Sequence, residues 1–267
     1  MSKRVLLVDN GSLEPQSTLQ LRLLAAELDR RLDCRVDPVS LAHSAKIPIE
    51  SLEGRRAELF EAALDRGWRE GVREFVILPL FVGPSHAVVR HMPGLLAEGS
   101  KRSSLYRWRI ASPLFVSGEK RLAEILVDHV RTLLVGGERP RVAIVDHGSP
   151  NVEVTEVRNA VASQVREMLG DTAGAVEPCS MERREGSDYD FNNPLLATLL
   201  AKPDWRTGSV ITALLFIAAG RHAGADGDVA QICRAARTGE SPSVKITPVL
   251  GQHPLLLDIL VDRALSI

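Results

Sequence analysis

The sequence has 267 residues, 45% of them hydrophobic and 25% charged. That is enough chain for one large domain, or for two of about 130 residues, with a core that needs no covalent staples. The formal net charge of -1 gives no reason to expect a nucleic acid or an anionic membrane surface as partner, since those need a concentrated basic field. Three scattered cysteines, Cys34, Cys179 and Cys233, form no C-x-x-C pair, so neither an iron–sulfur cluster nor a structural zinc site is indicated, and a reducing compartment is the simplest setting.

Lys3 and Arg4 lead straight into a strand, without the apolar segment and small-residue cleavage site of a signal peptide, and no apolar run is long enough for a bilayer. A cytoplasmic location is therefore expected. The first predicted strand, residues 4–9, runs into Asn10-Gly11-Ser12 and a helix over 15–32. A short strand over 36–41 leads into a polar loop, and a second helix is predicted over roughly 51–66. The third strand, 74–82, is followed by Gly83-Pro84-Ser85-His86. A helix, a fourth strand over 108–113 and a last helix close this half.

The same order then returns. Residues 141–146 form a β-branched apolar run, the mark of a buried parallel strand, and end in His147-Gly148-Ser149-Pro150 before a helix over 151–169. A strand over 176–181 precedes a helix predicted to start with Asn193 as N-cap and Pro194 as its first residue. A strand over 209–217 leads to Ala218-Ala219-Gly220-Arg221-His222, and a strand over 244–250 precedes the final helix. Arg4 and Arg141, Val36 and Val176, and His86 and His222 recur at a nearly constant spacing of 136 to 140 residues. This predicts an α/β protein made by duplication of a βαβ unit. The halves are 1–137 and 138–267, divided near Gly136-Gly137-Glu138. Each is a small parallel β-sheet flanked by helices, and a cleft is expected between them.

His147 and His222 both follow predicted parallel strands, so both imidazoles should emerge at the carboxyl edge of one sheet, where open α/β sheets bind ligands. With a reference pKa near 6.5, two such rings are mostly neutral at cytosolic pH and suit cobalt, iron, nickel or zinc. The first half keeps His86 but has Asn10 in place of a histidine; an amide is a poor ligand for these metals, so one complete site per chain is expected. A lone histidine beside a strand is ordinarily a loop residue with its hydrogen bonds satisfied. The pairing within a repeat, with glycines flanking both, favours function. His43, His91, His129 and His253 lack that context, and His253, just before Pro254, is expected to cap a helix.

The polar loop over 180–194 should hang over the same edge. Glu182 is a candidate third ligand or base, and Arg183, Arg184 and Arg221 are candidate partners for substrate carboxylates. Ser149 and His86 are further candidate substrate contacts. The alternative is a solvated loop whose charges balance one another. Residues 220–228 are rich in glycine but carry neither a Walker A lysine nor a G-x-G-x-x-G fingerprint, which disfavours nucleotide binding. A serine hydrolase built on Ser149, His222 and Asp146 lacks the G-x-S-x-G elbow, and Asp146, next to His147 in a strand, should point to the other face.

These residues resemble the class II chelatases of the CbiX and SirB type, which insert a divalent metal into sirohydrochlorin or a related tetrapyrrole without ATP. The resemblance rests on Val145-Asp146-His147-Gly148-Ser149, on Leu80-Phe81 with His86 and Met92-Pro93 beyond, and on Phe216 with Gly220-Arg221-His222-Ala223-Gly224. Small members of that family are half this length and pair as homodimers, so the resemblance implies a monomer acting as an internal pseudo-dimer. It further implies metal ligation by His147 and His222, a role for His86 alone in the first half, and Co2+, Fe2+ or Ni2+ as substrate with no nucleotide. The implied partner is a tetrapyrrole, with no nucleic acid and no membrane. Long members often keep the complete pair in the amino-terminal half, where this chain has Asn10. A non-catalytic tetrapyrrole or metal carrier derived from a chelatase is the competing reading, and a purely structural repeat is another.

Overall fold

The computed structural model describes residues 3–101, 106–237 and 243–267. Strands and helices alternate along both halves. In the first, β1 (Lys3–Asp9), β2 (Val36–Ser40), β3 (Glu74–Pro79) and β4 (Arg107–Ile110) form a parallel sheet in the order β2-β1-β3-β4. In the second, β5 (Arg141–Asp146), β6 (Ala175–Ser180), β7 (Ser209–Leu214) and β8 (Ser243–Ile246) repeat that order as β6-β5-β7-β8. The helices are α1 (Pro15–Leu32), α2 (Phe60–Arg69), α3 (Met92–Ser100) and α4 (Arg121–Leu133), then α5 (Val152–Leu169), α6 (Leu196–Leu200), α7 (Asp228–Ala235) and α8 (Pro254–Leu265). The two tandem α/β halves expected from the repeat are present.

The central strands explain themselves. Val142, Ala143, Ile144 and Val145 are all sealed from solvent, as are Leu6, Leu7 and Val8, because a parallel sheet covered on both faces buries every side chain of its inner strands. Pro38 and Pro178 occupy matching positions on the edge strands β2 and β6. An edge strand pairs on one side only, so the missing N–H costs no ladder bond there. Pro15 opens α1 at a position where its lack of an N–H is harmless.

The compact units do not coincide with the sequence halves. One comprises residues 1–116 and 257–267, the other residues 117–256. Helix α4, which belongs to the first copy of the repeat, packs on α5 and β7, and the chain from Leu257 onward returns to the first unit. The 137/138 boundary therefore marks the repeat in the sequence, whereas the packing boundaries fall before α4 and within α8.

Local departures have local causes. Instead of a helix over 51–66, a 3-10 turn at Ile49–Leu52 is broken by Glu53 and Gly54 in left-handed conformation, and α2 begins only at Phe60. Asn193 is not an N-cap: its peptide bond to Pro194 is cis, and Pro194 O accepts the Ser180 amide beside a Ser180–Leu195 bridge. Helix α6 starts at Leu196. The strands predicted over 74–82 and 209–217 end at Pro79 and Leu214. Helix α1, by contrast, has the predicted bounds, and α5 lacks only Asn151, its N-cap. Among the described residues no helix is long and apolar enough to cross a membrane.

Candidate metal centre

In the second sheet β5 is flanked by β6 on one side and β7 on the other, so the strand order reverses between β5 and β7 and leaves a crevice at their carboxyl ends. His147 follows β5 directly, and His222 lies in the loop between β7 and α7. Their ring centroids are 4.6 Å apart with the planes at 74°. The two predicted imidazoles, distant in sequence, do meet.

Glycine makes the meeting possible. Gly148 has φ +94°, and a Cβ there would lie 1.9 Å from the Glu182 carbonyl oxygen. Only a residue without a side chain lets the turn after β5 touch the backbone of the loop after β6. The Met181 amide donates to Asp146 O at 2.8 Å and the Glu182 amide to His147 O at 3.2 Å, fastening the two segments together. Glu182 is thereby held beside the histidine, its Oε1 at 3.4 Å from His147 Nε2, and it stays 60% exposed. Gly227 plays the corresponding part for His222. A Cβ there would lie 2.6 Å from Arg221 O and 2.7 Å from His222 O, so glycine allows α7 to begin against the preceding loop.

That contact delivers Asp228, the first residue of α7, whose Oδ2 lies 2.6 Å from His222 Nδ1. A carboxylate can only accept, so Nδ1 carries the hydrogen and the Nε2 lone pair is left free. His147 sits between two acceptors, its Nδ1 3.0 Å from Gly148 O and its Nε2 3.4 Å from Glu182 Oε1. The Nε2 lone pair of His222 is thus available to a cation, while His147 Nε2 is turned toward Glu182. Asp228 does not stand out in the sequence, because residues 220–228 read as a glycine-rich loop. The available signal was an acid directly after Gly227, at the start of a helix and one short turn from His222.

Beneath this rim is a buried polar network. Arg158 of α5, 1% exposed, donates through Nη1 to Ser180 Oγ at 2.5 Å and to Asn192 O at 3.0 Å, and lies 3.7 Å from Asp146 Oδ1. Ser180 Oγ donates to Asp146 at 2.6 Å. Burial pushes the Asp146 carboxyl upward, opposed by the Arg158 charge and the Ser180 hydrogen bond. Asn192, fully buried, accepts from the Ser149 amide and donates to the Ser149 carbonyl, both at 2.9 Å. It locks the turn carrying His147 to the loop carrying Glu182. Neither Arg158 nor Asn192 was foreseen, since a charged residue on a helix and an amide in a loop ordinarily read as solvent-facing.

The remaining predicted residues are placed as follows. Ser149 Oγ accepts from the Asn151 amide at 3.0 Å, and its backbone is held by Asn192, which gives it a structural duty in the turn. Asp146 is buried against Arg158 and Ser180, away from the triad geometry a hydrolase would need. Arg183 is folded onto its own loop, donating to Arg184 O and Gly186 O and pairing with Asp190. Arg184 is exposed over the Tyr189 ring at 5.8 Å. Arg221 is 79% exposed and 3.9 Å from Asp228. His86 stands exposed after β3 in the first unit. His253 Nδ1 accepts the Leu255 amide at the start of α8, the predicted capping role. Among the described residues no three His, Cys, Asp or Glu side chains close into a metal-holding set.

No curated protein is similar to the chain in sequence. The fold is shared with SirB from Bacillus subtilis solved with Fe3+, at 16% identity and TM-score 0.71 over 100% of this chain and 95% of that one. SirB from Bacillus subtilis subspecies spizizenii, a sirohydrochlorin chelatase solved with cobalt, matches at 15% identity and TM-score 0.73 with the same coverage. A CbiX described as the terminal enzyme of siroheme biosynthesis in denitrifying bacteria matches at 18% identity and TM-score 0.67, over 99% of both chains. The CbiX family model matches residues 4–133 and again 141–267, once for each half of the repeat. The chain belongs to the CbiX family of tetrapyrrole chelatases.

Proposed function

We propose that the protein inserts a divalent cation, cobalt or iron, into sirohydrochlorin or a closely related tetrapyrrole without ATP, using one complete site per chain. The observation that carries this reading is the approach of His147 and His222, ring centroids 4.6 Å apart, with the Nε2 of His222 freed by Asp228 and that of His147 beside Glu182. Two neutral nitrogens and an adjacent exposed carboxylate bind a borderline cation firmly enough to collect it. They leave most of its coordination sphere open, so the metal can pass to a second set of nitrogens, whereas a closed four-ligand cage would retain it.

The macrocycle is the final ligand set. Two pyrrole protons must leave as the metal enters, and Glu182, exposed at 3.4 Å from His147 Nε2, is the base at hand. Asp228 keeps His222 in its ligating tautomer throughout. Substrate carboxylates are met by Arg184 and Arg221, whose guanidinium groups are exposed, while Arg183 shapes the loop.

Anaerobic absorbance spectra of sirohydrochlorin with Co2+ or Fe2+ test the proposal. The expected outcome is spectral conversion faster than the uncatalysed reaction, abolished by His147→Ala while macrocycle binding persists. Binding without any acceleration in the unmutated protein would establish the carrier reading instead.

A further inference from the structure

The first unit contains a cleft of about 270 Å³ that the metal centre does not use. It lies over the edge strand β2, lined by Thr18, Leu21 and Arg22 of α1 and by Arg55 and Arg56 ahead of α2, among others. The second copy of the repeat shows why it is hollow. There the position of Leu21 is taken by Arg158 and that of Arg56 by Asn192, the two buried residues that knit α5 to β6 and the loop after it. Thr155, the counterpart of Thr18, shares its hydroxyl with Asn192 Oδ1 at 3.3 Å. In the first unit both plugs are gone. Thr18 is 4% exposed, and its Oγ1 is buried without any hydrogen-bond partner. An orphaned hydroxyl at the wall of an open cleft is costly unless something that enters the cleft completes it.

Charge indicates what enters. The carboxylates along the cleft are already occupied. Asp37 is bound by Arg4, Arg35 and Arg66, all at 2.8 Å, and Arg66 also holds Glu58. Burial alone would raise the Asp37 carboxyl, but these hydrogen bonds outweigh it and hold it below its ordinary value. Arg22, Arg55 and Arg56 have no carboxylate paired with them among the described residues. Arg22 donates only to the carbonyls of Leu52 and Arg55. Burial lowers its pKa and the Arg55 charge lowers it further, while the Glu53 charge opposes both.

We propose that this cleft is a second ligand site, which takes a small multiply charged oxyanion, a phosphate or dicarboxylate group, on Arg22, Arg55 and Arg56 with the Thr18 hydroxyl as a further donor. The site is independent of the metal centre. Its volume lies near the lower end for small-molecule pockets and gives room for a phosphate or a short dicarboxylate.

Isothermal titration calorimetry on the full-length protein tests this, with inorganic phosphate in one arm and succinate in the other to separate the two sources of charge. Saturable binding is expected in one arm at least. It should weaken about tenfold or more in the Arg55→Gln/Arg56→Gln protein and several-fold in Thr18→Val. His147→Ala should bind the anion as the parent does. Both arginines are exposed, so their replacement leaves the core intact. Unliganded Thr18→Val should melt no lower than the parent, because its hydroxyl has no bond to lose. No heat with either anion, or heat undiminished in the variants, overturns the proposal.

Discussion

The two copies of one βαβ framework differ most where their chemistry would lie. At the end of the central strand His147 faces Asn10; in the loop fastened beneath it Glu182 faces Ala42; at the start of the following helix Asp228 faces Met92. Of the four polar groups in the second copy only His222 has its equivalent, His86. The scaffold is nevertheless the same in both. Gly11, φ +84°, meets Ala42 O as Gly148 meets Glu182 O, and the Ala42 amide donates to Asn10 O as the Glu182 amide does to His147 O. The difference teaches that the turn and its backbone contacts belong to the fold, while His147, Glu182 and Asp228 are side chains carried on it.

The comparison extends to the core below. Arg158 compensates Asp146, whereas Leu21 leaves Asp9 with an Oδ1 that is sealed from solvent and unpartnered. Writing the first copy's residue into the second, Arg158→Leu, strands the Asp146–Ser180–Asn192 network. It should destabilise the protein by about 3–5 kcal/mol in urea unfolding, the range for removing one partner of a buried pair. A loss under about 1 kcal/mol would mean that Arg158 is not the compensating group.

The next largest effect concerns Asp9 itself. Burial raises its carboxyl from 3.8 to about 6. The protonated form is therefore favoured by folding. Its stabilising contribution is full below about pH 4 and is lost as pH rises through about 6, a change of roughly 3 kcal/mol at most. Asp9→Asn should flatten that part of the stability profile, read by thermal unfolding between pH 4 and 7. An unchanged slope would show that Asp9 is ionised in the fold.

In the site, His147→Ala and His222→Ala should each slow metal insertion by about a hundredfold or more, with His86→Ala nearly silent. Equal losses at His86 and His222 would erase the asymmetry between the copies. The smallest effect expected is for Asp228→Asn, which should weaken Co2+ binding by about tenfold to a hundredfold while the fold is unchanged, measured by metal titration.

What could be read in advance followed from periodicity. The apolar run over 141–146, the helix at Pro15–Leu32 and the recurrence of His86 at His222 are local or additive signals, and with them came two sheets and the meeting of His147 with His222. Asp228 was hidden because its role depends on Gly227 allowing a helix start to touch its own preceding loop. Arg158 was hidden because a charged residue in a helical pattern reads as surface until its partners across the chain are known. The assignment of α4 to the second compact unit was invisible for another reason: a repeat in sequence records ancestry, and packing is decided afterwards by which apolar face lies nearest.

The main-chain contact between the turn after β5 and residue 182 has an outcome for how such a protein changes over time. Because the amide and carbonyl at that position make the joint, any side chain can be mounted there without disturbing the architecture. Ala42 shows such an exchange in the first copy, a methyl group in place of the acid on the same backbone joint.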